Sequence, residues 1–255
     1  MTAARVGLGA SLAALTGPAG GVRYHWRALR HRRGCWRPFT DALAAWLDDW
    51  HPASDRLVLV GPSAGWCLPE SALARVRAVD GLEPDPLARH LFARRFPTVA
   101  RHLRWHAADY LAPVGGVLRP ERLRALGRDF PEHAFLFCNV LGQLPYLYPD
   151  AVAQPSFALW KRALAAVLAE RPFASFHDRL SGPVAARPDT LGATPSALGT
   201  TALVDRCLVA APGRASVEVE DHDTGDLFPG RPRMLFAWQV TPRWTHLVEG
   251  VRSDG

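Results

Sequence analysis

The chain has 255 residues, 48% of them hydrophobic and 21% charged, enough to bury a substantial core and far from the composition of a disordered or collagen-like chain. Its formal charge of +6 and pI near 9.7 come almost wholly from arginine, since Lys161 is the only lysine, and such a surface favours anionic partners, RNA among them. No apolar run reaches the roughly 20 residues of a membrane-spanning helix, and Cys35, Cys67, Cys138 and Cys207 form no C-x-x-C pair, so the expectation is a cytoplasmic protein with reduced thiols and no metal cluster.

Val6 to Leu15 is apolar behind Arg5, but a single arginine and the lack of an A-x-A site argue for an N-terminus that is retained. After the break at Gly17-Pro18-Ala19-Gly20-Gly21, a helix is expected from about Val22 to Arg33, carrying Tyr24, His25, Trp26, Arg27, Arg30, His31, Arg32 and Arg33. This basic helix suits contact with RNA phosphate, or a lid over a ligand site; alternatively Tyr24 and Trp26 pack on the core and the arginines are solvated. A second helix, Pro38 to Trp50, aligns Phe39, Leu43, Trp46, Leu47 and Trp50 on one face. Residues 1–52 therefore read as a helical extension or lid, and 53–255 as the main domain. From Arg56 short apolar runs alternate with helical segments. Strands are expected at Leu57–Val60, Arg75–Leu82, Leu103–Ala107, Phe135–Cys138 and Phe173–Phe176, and helices at Pro86–Phe96, Pro120–Leu126 and Ser156–Glu170. The alternation calls for an α/β fold with a mostly parallel sheet and helices on both faces. After Gly182 no further helix is expected: 184–199 reads as a loop, and Val217–Glu220, Met234–Val240 and Thr245–Val251 as C-terminal antiparallel strands.

The chemistry concentrates where the first strand runs into Gly61-Pro62-Ser63-Ala64-Gly65. A turn of small residues lets the backbone approach a ligand, and the helix start behind it offers free N–H groups. Glu83 ends the second strand, Asp109 the third and Asn139 the fourth. Polar residues at successive strand ends collect on the carboxyl edge of a parallel sheet, where open α/β folds bind ligands, and a carboxylate there can accept from both ribose hydroxyls. His177-Asp178 follows the fifth strand and is expected at the same edge, with either residue as a proton acceptor. Asp221-His222-Asp223-Thr224-Gly225 reads first as a hairpin turn; its histidine and two carboxylates could instead bind a metal, but no second cluster at ligand spacing supports this. His246 and Glu249, three apart in a strand, should point to opposite faces.

This pattern, over roughly residues 55–180, resembles the class I S-adenosylmethionine-dependent methyltransferases, which have a Rossmann-like fold. The resemblance implies that Gly61, Pro62, Ser63, Ala64 and Gly65 form the loop cradling the methionine part of S-adenosylmethionine. Glu83 would hold the ribose, with Asp80 as fallback, Asp109 would read the adenine amino group, and Asn139 would stand beside the transferred methyl. It implies a methyltransferase whose acceptor is unknown. Two departures stand out: Pro62 and Ser63 occupy positions where the family has glycine and other small residues, and Glu83 replaces the commoner aspartate. The sequence is compatible with two other readings. The same loop satisfies the G-x-S-x-G elbow of α/β-hydrolases, with Ser63 as nucleophile and the order completed by Asp178 or Asp221 and then His222 or His246, although a hydrolase needs strands before it. A catalytically silent scaffold whose basic helix docks RNA or a partner is the other.

Overall fold

The computed structural model describes residues 21–106 and 108–255; the apolar N-terminal segment, the start of the Gly17–Gly21 break and Ala107 lie outside them. The chain begins with helices α1 (Gly21–His31) and α2 (Arg37–Asp48), followed by strand β1 (Arg56–Val60), α3 (Glu70–Ala74), β2 (Ala78–Leu82), α4 (Pro86–Arg95), α5 (Pro97–Ala100) and β3 (Leu103–His106). It continues with α6 (Pro120–Asp129), β4 (Ala134–Cys138), the short α7 (Leu144–Leu147) and α8 (Pro149–Val152), α9 (Ser156–Leu168) and β5 (Phe173–Gly182). The last part holds β6 (Val184–Ala186), β7 (Gly192–Thr194), α10 (Thr200–Cys207), β8 (Leu208–Ala210), β9 (Glu220–Asp221), β10 (Arg233–Thr241) and β11 (Trp244–Ser253).

The main sheet runs β3-β2-β1-β4-β5-β11-β10-β7, with β9 also paired to β5. Strands β1 to β5 are mutually parallel, and β11 enters antiparallel between β5 and β10. This is a Rossmann-like α/β sheet. The strand order reverses direction about β1, between β2 and β4, and that switch point leaves a crevice beyond their carboxyl ends.

Burial on both faces explains the unbroken apolar runs of β1 and β4. Leu57, Leu59 and Leu136 face one core with Phe39, Leu43 and Leu47 of α2 and Phe176 of β5. Val58, Val60, Phe135 and Phe137 face the other, with Leu123 and Leu126 of α6 and Trp160 and Leu164 of α9. The helical stripe read in α2 is therefore core, and its second role is to seat β10. Trp36, just before it, is fully buried and donates to the Val240 carbonyl at 3.0 Å, tying the N-terminal helices to the far side of the sheet.

Several expectations need correcting. Strand β2 starts at Ala78: Arg75 instead donates to the Leu47 and Asp48 carbonyls at the end of α2, at 2.7 and 2.6 Å, and Arg77 pairs with Asp55 at 2.9 Å. Strand β5 continues to Gly182 with every residue buried, although its second half is polar. The stretch 184–199 holds β6 and β7 rather than plain loop, and α10 is a helix where none was expected. The strand placed at Val217–Glu220 is reduced to the two residues of β9. Trp26 is 63% exposed and does not join the core, whereas Tyr24 packs against it.

Candidate functional site

The loop after β1 is built on left-handed backbone: φ is +63° at Gly61, +50° at Ser63 and +64° at Gly65. A Cβ on Gly61 would lie 2.7 Å from Val140 Cβ, and one on Gly65 would lie 2.5 Å from the Phe96 ring, so packing as well as conformation requires glycine at both places. The Gly61 N–H donates to the Leu82 carbonyl at 2.9 Å, which keeps the loop on the end of β2. Pro62 and Ala64 are buried within it.

Glu83 follows β2 directly. Its carboxylate accepts from the Ser63 N–H at 2.8 Å and from the Asp85 N–H at 3.0 Å. Burial pushes its pKa up to about 7, and these amide bonds only partly oppose the shift. Asp80, the fallback, sits inside β2 with its carboxylate 2.5 Å from His106 Nε2 and 3.1 Å from His133 Nε2, so it is not at the strand end. Arg89, which sequence reasoning passed over, joins the ends of β2 and β3 by donating to the Glu83 carbonyl at 2.6 Å and the His106 carbonyl at 3.3 Å. Asp109 lies beyond β3, half-buried, and accepts from the Leu111 and Ala112 N–H groups, each at 2.9 Å. That carboxylate shapes its own turn, on the neighbouring strand end.

Asn139 follows β4 directly, with φ of +60°. Its side chain grips Asp178 twice, donating to Oδ2 at 3.0 Å and accepting from the backbone N–H at 2.8 Å. Asp178 is fully buried. Gln143 Nε2 donates to the same Oδ2 at 2.5 Å, and His246 Nδ1 stands 2.9 Å from it. Burial works to raise the Asp178 pKa, but the neighbouring His246 and His222 and the Asn139 amide outweigh it and hold the carboxyl below its usual range. His222, fully enclosed, has Nδ1 2.7 Å from the Gly142 carbonyl and Nε2 3.0 Å from Ser181 Oγ. A carbonyl only accepts, so Nδ1 carries the proton and Nε2 accepts.

The structure thus brings the Gly61–Gly65 loop, Glu83, Asn139 and Asp178 to the carboxyl edge of the sheet. His177 is not among them. Adjacent residues of a strand face opposite ways, and the His177 ring lies buried against Ser175 Oγ at 2.9 Å. Burial, helped by the Arg233 charge, drops its pKa to about 3, so it is a sealed neutral imidazole rather than an available base. The segment 221–224 is both turn and site wall: Asp221 binds Arg179 and Thr200, while Thr224 Oγ1 donates to the Asp178 carbonyl at 2.9 Å. His246 faces Asp178 and Glu249 faces Arg179 and Arg233, on opposite sides as expected. No histidine hydrogen-bonds Ser63 Oγ among the described residues.

Helix α1 closes the crevice. Trp66 Nε1 donates to His25 Nδ1 at 2.9 Å, which puts the proton of that ring on Nε2, 3.4 Å from Asp85 Oδ2. Tyr24 and Trp66 then roof a cavity of about 30 Å³ whose floor is Gly61, Ser63, Asn139 and Phe176. Arg30 and Arg33 lie exposed on the outer side, and Arg32 rests over the Trp66 ring at 5.3 Å. A larger cavity of about 400 Å³, lined by Arg179, Thr200, Asp221 and Asp226, shares no residue with the loop. All four cysteines are free thiols, and no described helix is long and apolar enough to cross a membrane.

No family model and no curated protein matches the sequence. Among solved structures, a methyltransferase from Anabaena variabilis described as dependent on S-adenosylmethionine aligns over 99% of both chains at 11% identity and a TM-score of 0.48. The N-methyltransferase NodS from Bradyrhizobium japonicum aligns over 85% of this chain and 95% of its own, at 14% identity and a TM-score of 0.42. An amino pentose methyltransferase from Micromonospora echinaspora, solved with S-adenosylmethionine bound, aligns over 90% of this chain and 97% of its own, at 17% identity and a TM-score of 0.39. The chain is similar to these proteins at low identity, and its assignment as a Rossmann-like α/β protein stands on its own strand order and parallel β1–β5 core.

Proposed function

We propose that the protein binds S-adenosylmethionine at the carboxyl edge of β1, β2 and β4 and transfers its methyl group to a nucleophilic acceptor. The observation that carries this reading is the Glu83 carboxylate at the end of β2, hydrogen-bonded to the Ser63 amide of the loop after β1. A buried carboxylate beside a glycine turn is an acceptor that a nucleoside needs: its remaining lone pairs can accept from the two ribose hydroxyls. The chemistry of the residues suits the ligand, and its entry requires α1 to move. A cavity of about 30 Å³ compares with at least about 300 Å³ for ordinary ligand pockets. Tyr24, His25 and Trp66 then form a latch that opens for the ligand.

In this reading Glu83 holds the ribose, Asp109 the adenine amino group, Gly61 to Gly65 the methionine part, and Asn139 borders the methyl. Bound S-adenosylmethionine supplies an electrophilic methyl on a sulfonium. The chain supplies alignment and exclusion of water through α1. Asp178, carried to the same edge by β5, is the acceptor-side group in this scheme, positioned by Asn139 and Gln143. The test is calorimetric titration with S-adenosylmethionine and with its demethylated product, S-adenosylhomocysteine. Saturable one-to-one binding is expected, weakened at least about tenfold, or 1.4 kcal/mol, by Glu83→Ala. Absence of binding by the unaltered protein overturns the reading.

A further inference from the structure

We propose that Asp178, His222 and His246 form a binding site for one divalent transition-metal cation of the zinc class. The three residues come from β5, the segment after β9 and β11, and their ligating atoms all lie within 4.8 Å of one another. Two imidazoles and a carboxylate suit zinc, iron, cobalt or nickel, whereas magnesium and calcium take oxygen ligands.

Three features separate this cluster from an ordinary buried hydrogen-bond latch. First, His246 Nδ1 is 2.9 Å from Asp178 Oδ2, yet the ring nitrogen closes no hydrogen bond, and Asp178 Oδ1 is buried with no partner at all. Adjacent ligands on bonds of about 2.1 Å stand about 3.4 Å apart in a tetrahedral site and about 3 Å apart in an octahedral one, so the two atoms are close enough to share one ion. Second, the Gly142 carbonyl holds the proton of His222 on Nδ1 and leaves Nε2 with its lone pair, now met only by Ser181 Oγ. A carbonyl accepting from the far nitrogen is the usual support of a metal-bound histidine. Third, the Asp178 carboxylate is fully buried, and the groups facing it are the amides of Asn139 and Gln143 and the two imidazoles. No arginine or lysine pairs with this buried carboxylate among the described residues, and a buried carboxylate is ordinarily either paired or bound to a metal. Three protein ligands leave a coordination position for water or for an oxygen or nitrogen of a substrate.

The inference does not rest on the adenosyl reading, and its test is independent of methyl transfer. The probes are Zn²⁺ by equilibrium dialysis with metal analysis, and Co²⁺ by visible absorption, after alkylation of accessible thiols with iodoacetamide. One ion per chain is expected, with a d–d spectrum lacking a thiolate charge-transfer band and a Zn²⁺-dependent rise in thermal midpoint. His246→Gln and His222→Gln should each weaken retention about a hundredfold or more, of the size seen when metal-site partners are lost. No retained ion in the unaltered protein, a thiolate band, or equal retention by both folded variants would overturn the proposal. If the His222 variant fails to fold, the half-buried His246 and the cobalt spectrum of the unaltered protein still decide it.

Discussion

Glu83→Gln is expected to flatten the pH dependence of adenosyl-ligand binding and to weaken that binding at pH 8 by about ten- to a hundredfold, as for the loss of a hydrogen bond to a charged group. Glu83 titrates near 7 because burial penalises its ionised form. The ionised carboxylate accepts from both ribose hydroxyls, and the protonated acid does not. Affinity in the unaltered protein should therefore rise up to about tenfold per pH unit below 7 and level off above it. The same shift acts on folding with a definite sign. The folded value lies above the 4.5 of a free glutamate, so this group costs nothing below about 4.5 and its full penalty, on the order of 3 kcal/mol, above about 7. Gln at this position escapes the charge penalty but turns an N–H toward a backbone donor. Calorimetry at pH 6, 7 and 8 measures the binding effect, and an equally steep profile in the variant would remove Glu83 from the ribose role.

Glu249→Ala should destabilise the fold by about 3–5 kcal/mol, the usual cost of leaving a buried charge without its partner. Glu249, Arg233 and Arg179 are all buried, with Glu249 oxygens 3.5 Å from Arg233 Nε and 3.9 Å from Arg179 Nε. Burial raises the Glu249 pKa, and the two guanidinium groups oppose that shift. Arg179 is further held by Asp221, and Arg233 by the Leu227 and Phe228 carbonyls, so neither can swing out to water cheaply. The cluster clamps β5 to β11, the two strands that carry Asp178 and His246. Urea unfolding of Glu249→Ala and of the isosteric Glu249→Gln measures the effect, and a loss under about 1 kcal/mol in both would show that the three charges contribute no net stability.

How far the sequence could be read depended on where each residue's partner lies. Leu57 to Val60 and the Gly61–Gly65 turn are legible because local rules act there: a run of apolar residues buried on both faces, then positions that only glycine fills well. Glu83 and Asn139 follow from strand ends in a parallel sheet. The far half of β5 does not, because His177, Asp178 and Arg179 look like loop until Ser175, Asn139, Asp221 and Glu249 are known to satisfy them. Most of those partners are more than 35 residues away. For the same reason the sequence suggests a role at the edge for His177 that its face of the strand denies it, and nothing in the spacing of His222 and His246 shows that both approach Asp178. The closure by α1 rests on His25, Trp66 and Asp85, three residues from three segments, and no spacing along the chain announces that contact.

The central claim is that loop, Glu83 and Asn139 together grip an adenosine, and the most direct measurement is a crystal structure of the protein with S-adenosylhomocysteine. The expected result is ribose hydroxyls on the Glu83 carboxylate and α1 moved so that the His25 contacts to Trp66 and Asp85 are broken. A nucleoside bound elsewhere, for instance in the cavity beside Arg179 and Thr200, with Tyr24 still filling the crevice, would contradict it.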